Sequence, residues 1–171
     1  MLSTRNRFKY YTMSKKAHTK KRVVAVSGGF DPLHIGHIRL LNEAQKLGDE
    51  LIVILNNDNW LLDKKGFTFM SEADRKEILE SLAAVDEVIV TGHASGDKDR
   101  SVCRELLKLR PDIFANGGDR TLEDAQKKNS PLNPEVALCE ELGIKTVFNV
   151  GKGGKVRSSS ELVAHFRKNQ K

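Results

Sequence analysis

Residues Arg22–His37 read RVVAVSGGFDPLHIGH, and the rest of the fold is read outward from this stretch. Arg22–Ser27 is a short valine-rich run, the pattern of a strand buried on both faces. Gly28-Gly29-Phe30-Asp31-Pro32 breaks it with turn-forming residues. Helical periodicity begins near His34. Ile38, Leu41 and Ala44, with Leu40 and Leu47, make an apolar stripe wide enough to bury against a sheet. Gly48 stands where a glycine would end that helix. Glu50–Leu55 (ELIVIL) is a second buried strand. Strand, glycine turn, helix and strand in this order form a parallel βαβ unit.

The alternation continues to the end of the chain. Asn56–Met70 carries Lys64, Lys65 and Gly66 and reads as a loop. Ser71-Glu72-Ala73-Asp74 opens a helix through Ala84 in the manner of a capping box. Glu87–Thr91 is a third strand, Lys98–Leu109 a helix stopped before Pro111, and Asp112–Ala115 a fourth strand running into Asn116-Gly117-Gly118-Asp119. Thr121–Pro134 is polar and reads as loop. Glu135–Leu142 is a helix ended by Gly143, and Lys145–Val150 is a fifth strand. The loop Gly151–Arg157 precedes a last helix from Ser158 to Lys168. Five strands alternating with helices predict a single α/β domain over residues 22–171, with a doubly wound, Rossmann-like parallel sheet. Ligands of such sheets sit beyond the carboxyl ends of the strands. The glycine loops after strands one, four and five should gather there.

Composition narrows the class. The chain has 171 residues, 39% of them hydrophobic and 30% charged, enough for one well-buried core. No apolar run approaches the ~20 residues that cross a bilayer, and no apolar secretory segment opens the chain. Cys103 and Cys139 lie far apart without metal-ligand spacing and read as ordinary thiols. The net charge is +6, but Met1–Arg22 holds eight Lys/Arg and no acids, leaving 21 basic against 23 acidic residues. The basicity therefore belongs to residues 1–21, expected to be a solvated, disordered extension. Nucleic acid is not the expected partner of the domain. The expected compartment is the cytoplasm, with organelle targeting the other role open to the extension.

The chemistry concentrates in Gly28–His37. Glycines after a first strand let backbone approach a ligand closely. The helix that follows offers its N-terminal N–H groups and dipole to an anion. His34 and His37 are three apart, on one side of the first turn, with Gly36 between them. Their ring N–H groups can donate to phosphate oxygens. The combination reads as a polyphosphate site.

This segment is a complete G-x-F-D-x-x-H-x-G-H signature, and with it the chain resembles the cytidylyltransferase-like nucleotidyltransferases. The likeness continues through Lys46–Leu51, at Arg75, at Gly117-Gly118-Asp119 and at Ser158-Ser159-Ser160. It is near both the glycerol-3-phosphate cytidylyltransferases and the heptose-phosphate adenylyltransferases. The resemblance implies that a substrate phosphate attacks the α-phosphorus of ATP or CTP and pyrophosphate leaves, with Mg²⁺ accompanying the triphosphate. The acceptor would be a small phosphorylated alcohol or sugar. His34 and His37 would stabilise the transition state, with Lys65 and Arg75 contacting phosphate. Gly28, Gly29, Phe30, Asp31, Gly36, Gly117 and Asp119 would line the nucleotide pocket. Arg157, Ser158, Ser159 and Ser160 would hold the β and γ phosphates. Asp31 has a second expected job, fixing the turn through its side chain. No protein cage for a metal is legible. Relatives are often dimers, so a homodimer is open.

Two other classes share parts of this pattern. Residues 34–37 spell HIGH, as in class I aminoacyl-tRNA synthetases, but no lysine-serine signature follows and the chain is short for an anticodon domain. A non-catalytic nucleotide-binding or nucleic-acid-binding module would use the basic extension.

Overall fold

The computed structural model describes residues 20–118, 123, 133–151 and 158–168. β1 (Val23–Gly28), β2 (Glu50–Leu55), β3 (Glu87–Val90), β4 (Ile113–Gly117) and β5 (Lys145–Val150) form one parallel sheet in the order β3-β2-β1-β4-β5. The order reverses at β1, so the sheet is doubly wound and its switch point lies between β1 and β4. α1 (Ile35–Gln45), α2 (Asp58–Lys65), α3 (Glu72–Glu80), α4 (Cys103–Leu109), α5 (Asn133–Leu142) and α6 (Ser159–Lys168) are the helices among the described residues.

Strand alternation sorts the core into two layers. Val24, Val26, Leu51, Val53 and Leu55 pack with Leu41 and Ala44 of α1 and Leu79 of α3. Ala25, Ile54 and Phe114 face the other way, onto Leu106 of α4 and Cys139 of α5. Leu41, Leu51, Leu55, Leu79 and Leu106 are 1% exposed or less. Each such leucine contributes about 1.5–3 kcal/mol relative to an exposed one. Carboxylates in the loops splice the strand starts together. Asp112 accepts from the Val23 N–H at 2.8 Å, Asp86 from Leu51 at 2.7 Å, and Asp49 from Arg22 at 2.7 Å.

Three sequence readings change. Asn56–Met70 contains α2, whose end signals are present in the letters. Asn57 caps it by accepting from the Trp60 N–H, and Gly66 ends it at φ 76°. The helix escapes a periodicity reading because it has eight residues and buries only Leu61. Gly48 is not a left-handed cap. A Cβ there would lie 2.6 Å from the Arg22 carbonyl oxygen, so glycine is required for close packing against β1. The helix read from Lys98 starts only at Cys103, because Asp97 and Asp99 accept from backbone N–H groups two residues on and hold the preceding segment as turns. The extension, residues 1–21, and the 121–134 loop lie mostly outside the described residues. Among the described residues no helix is long and apolar enough to cross a membrane.

Candidate active site

β1 runs directly into the glycine turn. Gly28 N and O stay in the ladder region, with the Asn56 N–H donating to Gly28 O at 2.9 Å. Gly29 passes close under α2, where an added Cβ would sit 2.8 Å from Leu61 Cδ2. Phe30 then adopts φ 48°, a left-handed conformation that costs a non-glycine residue about 1–3 kcal/mol. Its ring is 2% exposed and packs 4.8 Å from the His37 ring, which offsets that strain. The Asp31–Pro32 peptide is cis.

Asp31 is fully buried and its carboxylate accepts from the backbone N–H groups of Phe69 and Met70 at 2.8–3.1 Å. It fixes the turn, as its sequence position suggested, by tying it to the segment between α2 and α3. Lys65, in the last turn of α2, donates from Nζ to the Asp31 carbonyl at 3.0 Å. Burial lowers the Lys65 pKa, opposed by the Asp31 carboxylate and helped by Arg75. This lysine therefore stands at the turn on a helix, where the sequence suggested a loop.

Arg75 departs from its expected role. Its side chain is 0% exposed. The guanidinium donates to Gly29 O at 2.8 Å, Asn56 O at 2.7 Å, Asp58 Oδ1 at 2.6 Å and, from Nε, Met70 O at 3.3 Å. Every one of these partners belongs to the protein. Arg75 clamps the exits of β1 and β2 and has no surface left for a phosphate.

His34 and His37 are brought together. His34 is the N-cap of α1, and its Nδ1 accepts from the Gly36 N–H at 3.1 Å. His37 Nδ1 accepts in return from the His34 N–H at 3.3 Å. This reciprocal pattern is a capping box built from imidazoles. The rings stack at 3.8 Å between centroids and 16° between planes. Burial, then the charges of His34 and Lys65, lower the His37 pKa to about 3. His37 is thus neutral near pH 7. Because its Nδ1 accepts a backbone hydrogen bond, the ring proton sits on Nε2, a donor at the N-terminal end of a helix dipole.

The remaining residues converge on the same sheet edge. Gly117 at the end of β4 lies against Leu40 of α1, where an added Cβ would be 2.9 Å from its methyls, and Gly151 after β5 lies beside the Leu40 backbone. Ser159 Oγ donates to the Pro32 carbonyl at 3.1 Å, joining the start of α6 to the glycine turn. Ser158 is the helix cap. Its Oγ accepts from the Glu161 N–H, and Glu161 Oε2 accepts from the Ser158 N–H, both at 3.2 Å. Ser160 is in the first turn of α6. Asp119 and Arg157 lie outside the described residues. Sequence reasoning gave Asn56 and Trp60 no role in the site; both line a cavity of about 470 Å³ beside Gly28 and Gly29. An asparagine at the exit of a central strand was the available signal for the first.

Comparison with known proteins identifies the family. Residues 25–162 match the cytidylyltransferase-like family. The chain is 39% identical over 126 residues to an FAD synthase of Thermococcus sibiricus, covering 68% of this chain and 80% of that one. It is 37% identical over 102 residues to the bifunctional protein HldE of Koribacter versatilis, covering 58% of this chain but only 20% of that longer protein. A lipopolysaccharide core biosynthesis protein of Thermoplasma volcanium superposes with a TM-score of 0.57 at 28% identity, covering 77% of this chain and 98% of that one. With its HxGH segment on the helix tip after β1, the chain belongs to the cytidylyltransferase-like family of nucleotidyltransferases.

Proposed function

We propose that this chain transfers AMP from ATP to a small phosphorylated alcohol or sugar and releases pyrophosphate. The observation that carries the reading is the stacked pair His34 and His37 at the tip of α1, directly behind the glycine turn. An oxygen of the acceptor phosphate attacks the α-phosphorus, a new P–O–P bridge forms, and the bond to the pyrophosphate leaving group breaks. Such a reaction needs positioned donors around the oxygens that gain charge, and no covalent intermediate. The neutral His37 Nε2–H supplies an uncharged donor, and the dipole of α1 favours negative charge at its tip. Lys65 adds a cation at Asp31, and Ser158, Ser159 and Ser160 with Arg157 would hold the outer phosphates at α6. Gly28, Gly29 and Phe30 would let the nucleotide approach the backbone, with Gly117 and Asp119 toward the base.

Mg²⁺ would come bound to the triphosphate. The donor set does not suit a protein cage, since the Asp31 carboxylate is committed to Phe69 and Met70, and among the described residues no three His, Cys, Asp or Glu side chains cluster as ligands.

ATP is favoured over CTP by the names of the relatives, FAD synthase and HldE. The FAD synthases make a flavin phosphate the second acceptor class to consider. The test is pyrophosphate release from ATP, CTP, GTP and UTP, each crossed with phosphorylated alcohols, sugar phosphates and FMN. Release that depends on both ATP and one phosphorylated acceptor is expected. Pyrophosphate release with no acceptor-dependent product, or none with any pair, would overturn the proposal.

A further inference from the structure

α2 stands between the glycine turn and the segment that follows β3, and a different face is fastened to each. Leu61 and Lys65, four residues apart, face the turn. Leu61 lies against Gly29, where an added Cβ would be 2.8 Å from its Cδ2, and Lys65 Nζ reaches the Asp31 carbonyl at 3.0 Å. Asn57, Trp60 and Asp63, at three-residue steps, face residues 91–100. The Asn57 N–H donates to Thr91 Oγ1 at 3.1 Å, and its Nδ2 to the His93 carbonyl at 2.8 Å. Trp60 Nε1 donates to the Arg100 carbonyl at 2.8 Å, and Asp63 Oδ2 accepts from the Gly96 N–H at 2.7 Å. Leu61 is the one residue that α2 buries, so hydrogen bonds do more than apolar area to hold this helix in place.

The 91–101 segment is in turn pinned by His93, which is 6% exposed. Its Nε2 lies 3.0 Å from the Ser101 carbonyl and its Nδ1 2.8 Å from Thr91 Oγ1. A carbonyl only accepts, so Nε2 carries the proton. Thr91 Oγ1 already accepts from Asn57, which leaves its hydroxyl proton for Nδ1 of the neutral ring. The ring thereby closes the two ends of the segment on each other and orders the hydroxyl that receives α2. Thr91 and Ser101 are buried as well, so water does not replace either bond. Behind them Glu105 of α4 accepts from the Gly92 N–H at 3.4 Å, and Glu135 of α5 from the Val102 N–H at 3.1 Å. The segment is thus tied to the helices that cover this face of the sheet, and α2 takes its position from it.

We propose that His93 is a positioning residue for nucleotide binding: by holding the 91–101 segment closed it sets α2, and with α2 the Lys65 ammonium, against the turn that leads to His34 and His37; this rests on the phosphate-binding role given to Lys65 above. His93 is not one of the residues lining the cavity beside Gly28 and Gly29, so its effect on binding is indirect. That effect travels along one eight-residue helix, whose hydrogen-bonded backbone joins the face on the segment to the face on the turn. Without the ring, the Lys65 end of α2 is free to drift from the Asp31 carbonyl, and a hydrogen bond to phosphate weakens steeply with such a displacement.

The test measures calorimetric binding of α,β-methylene-ATP with Mg²⁺ to the full chain, in the parent, Lys65→Ala, His93→Phe and the double variant. Phenylalanine keeps the bulk of the ring and removes both of its hydrogen bonds. Lys65→Ala should raise Kd about tenfold and His93→Phe about three- to fivefold. The double variant should bind no more weakly than Lys65→Ala alone, because the ring acts only through the lysine. Thr91→Val breaks the link between the ring and α2 while keeping side-chain volume. Alone and with Lys65→Ala, it carries the same test should circular dichroism show that His93→Phe does not fold. A parent-like Kd in the folded variants makes His93 merely structural and overturns the proposal. An effect as large without Lys65 as with it overturns it equally, while leaving the nucleotide site standing. If the parent chain binds no analogue, the nucleotide site falls and this inference falls with it.

Discussion

Replacing Arg75 by methionine keeps the length of the side chain and removes its charge. The guanidinium makes four hydrogen bonds and is buried, so the variant leaves the Gly29 and Asn56 carbonyls without that donor and deprives Asp58 of its 2.6 Å partner. A buried acceptor stripped of its donor costs about 1–3 kcal/mol, and breaking a buried ion pair about 3–5 kcal/mol. Asp58 is 37% exposed, so water recovers part of its loss and the ion-pair figure is an upper bound. A total near 3–5 kcal/mol remains, a large fraction of the ~5–15 kcal/mol that holds a domain folded. At roughly 2–4 °C per kcal/mol for a chain of this size, the melting temperature falls by about 10 °C. Urea unfolding followed by circular dichroism, with melting as a second probe, measures this. Arg75→Lys should recover only part of the loss, since an ammonium cannot span carbonyls on two strand exits and a carboxylate together. The reasoning is refuted if Arg75→Met melts like the parent chain while its KM for acceptor or ATP rises. That result would make Arg75 a ligand contact and not the clamp described here.

Substituting His37 by alanine should reduce turnover by about 10²–10³-fold, roughly 3–4 kcal/mol, if its Nε2–H meets the transition state; His37→Asn, which can still accept from the His34 N–H, should lose turnover similarly with less change in melting temperature, and near-normal kcat in both would exclude the role. The lowered His37 pKa, from 6.5 to about 3, means that the unfolded chain binds a proton which the folded chain refuses across that window. Stability should therefore be full above about pH 6.5 and fall as pH drops toward 3, by at most about 5 kcal/mol from this group, and denaturant titrations of the parent and His37→Asn from pH 7 to 4 should converge. Lys65→Ala should lower turnover while shifting stability by only about 1 kcal/mol, the value of its hydrogen bond to the Asp31 carbonyl; a large loss of stability with normal kinetics would make it structural.

The alternation of strands and helices, the parallel doubly wound sheet and the gathering of glycine loops at its carboxyl edge were legible in the letters. Valine-rich strands buried on both faces, a helical stripe and glycine turns leave few alternatives once right-handed crossovers are required. The helix-tip histidines were legible for the same reason, because the three-residue spacing sets both rings on one turn whatever surrounds them. α2 was harder to read, since an eight-residue helix that buries one leucine has almost no periodicity, although its asparagine cap and terminal glycine were visible.

The sequence by itself determined that the chain alternates in parallel βαβ units and that its glycine loops meet at one sheet edge, because those follow from local pattern and connectivity. Tertiary structure alone decided what individual polar side chains do. Arg75 and Lys65 are both cations near one turn, yet one is sealed against carbonyls of two strands and the other reaches the turn from a helix end. Asn56 follows a strand in the letters, and only the structure buries its side chain, with an amide oxygen that has no hydrogen-bond partner among the described residues. Burial and partnership depend on residues distant in the chain, and no local pattern records them.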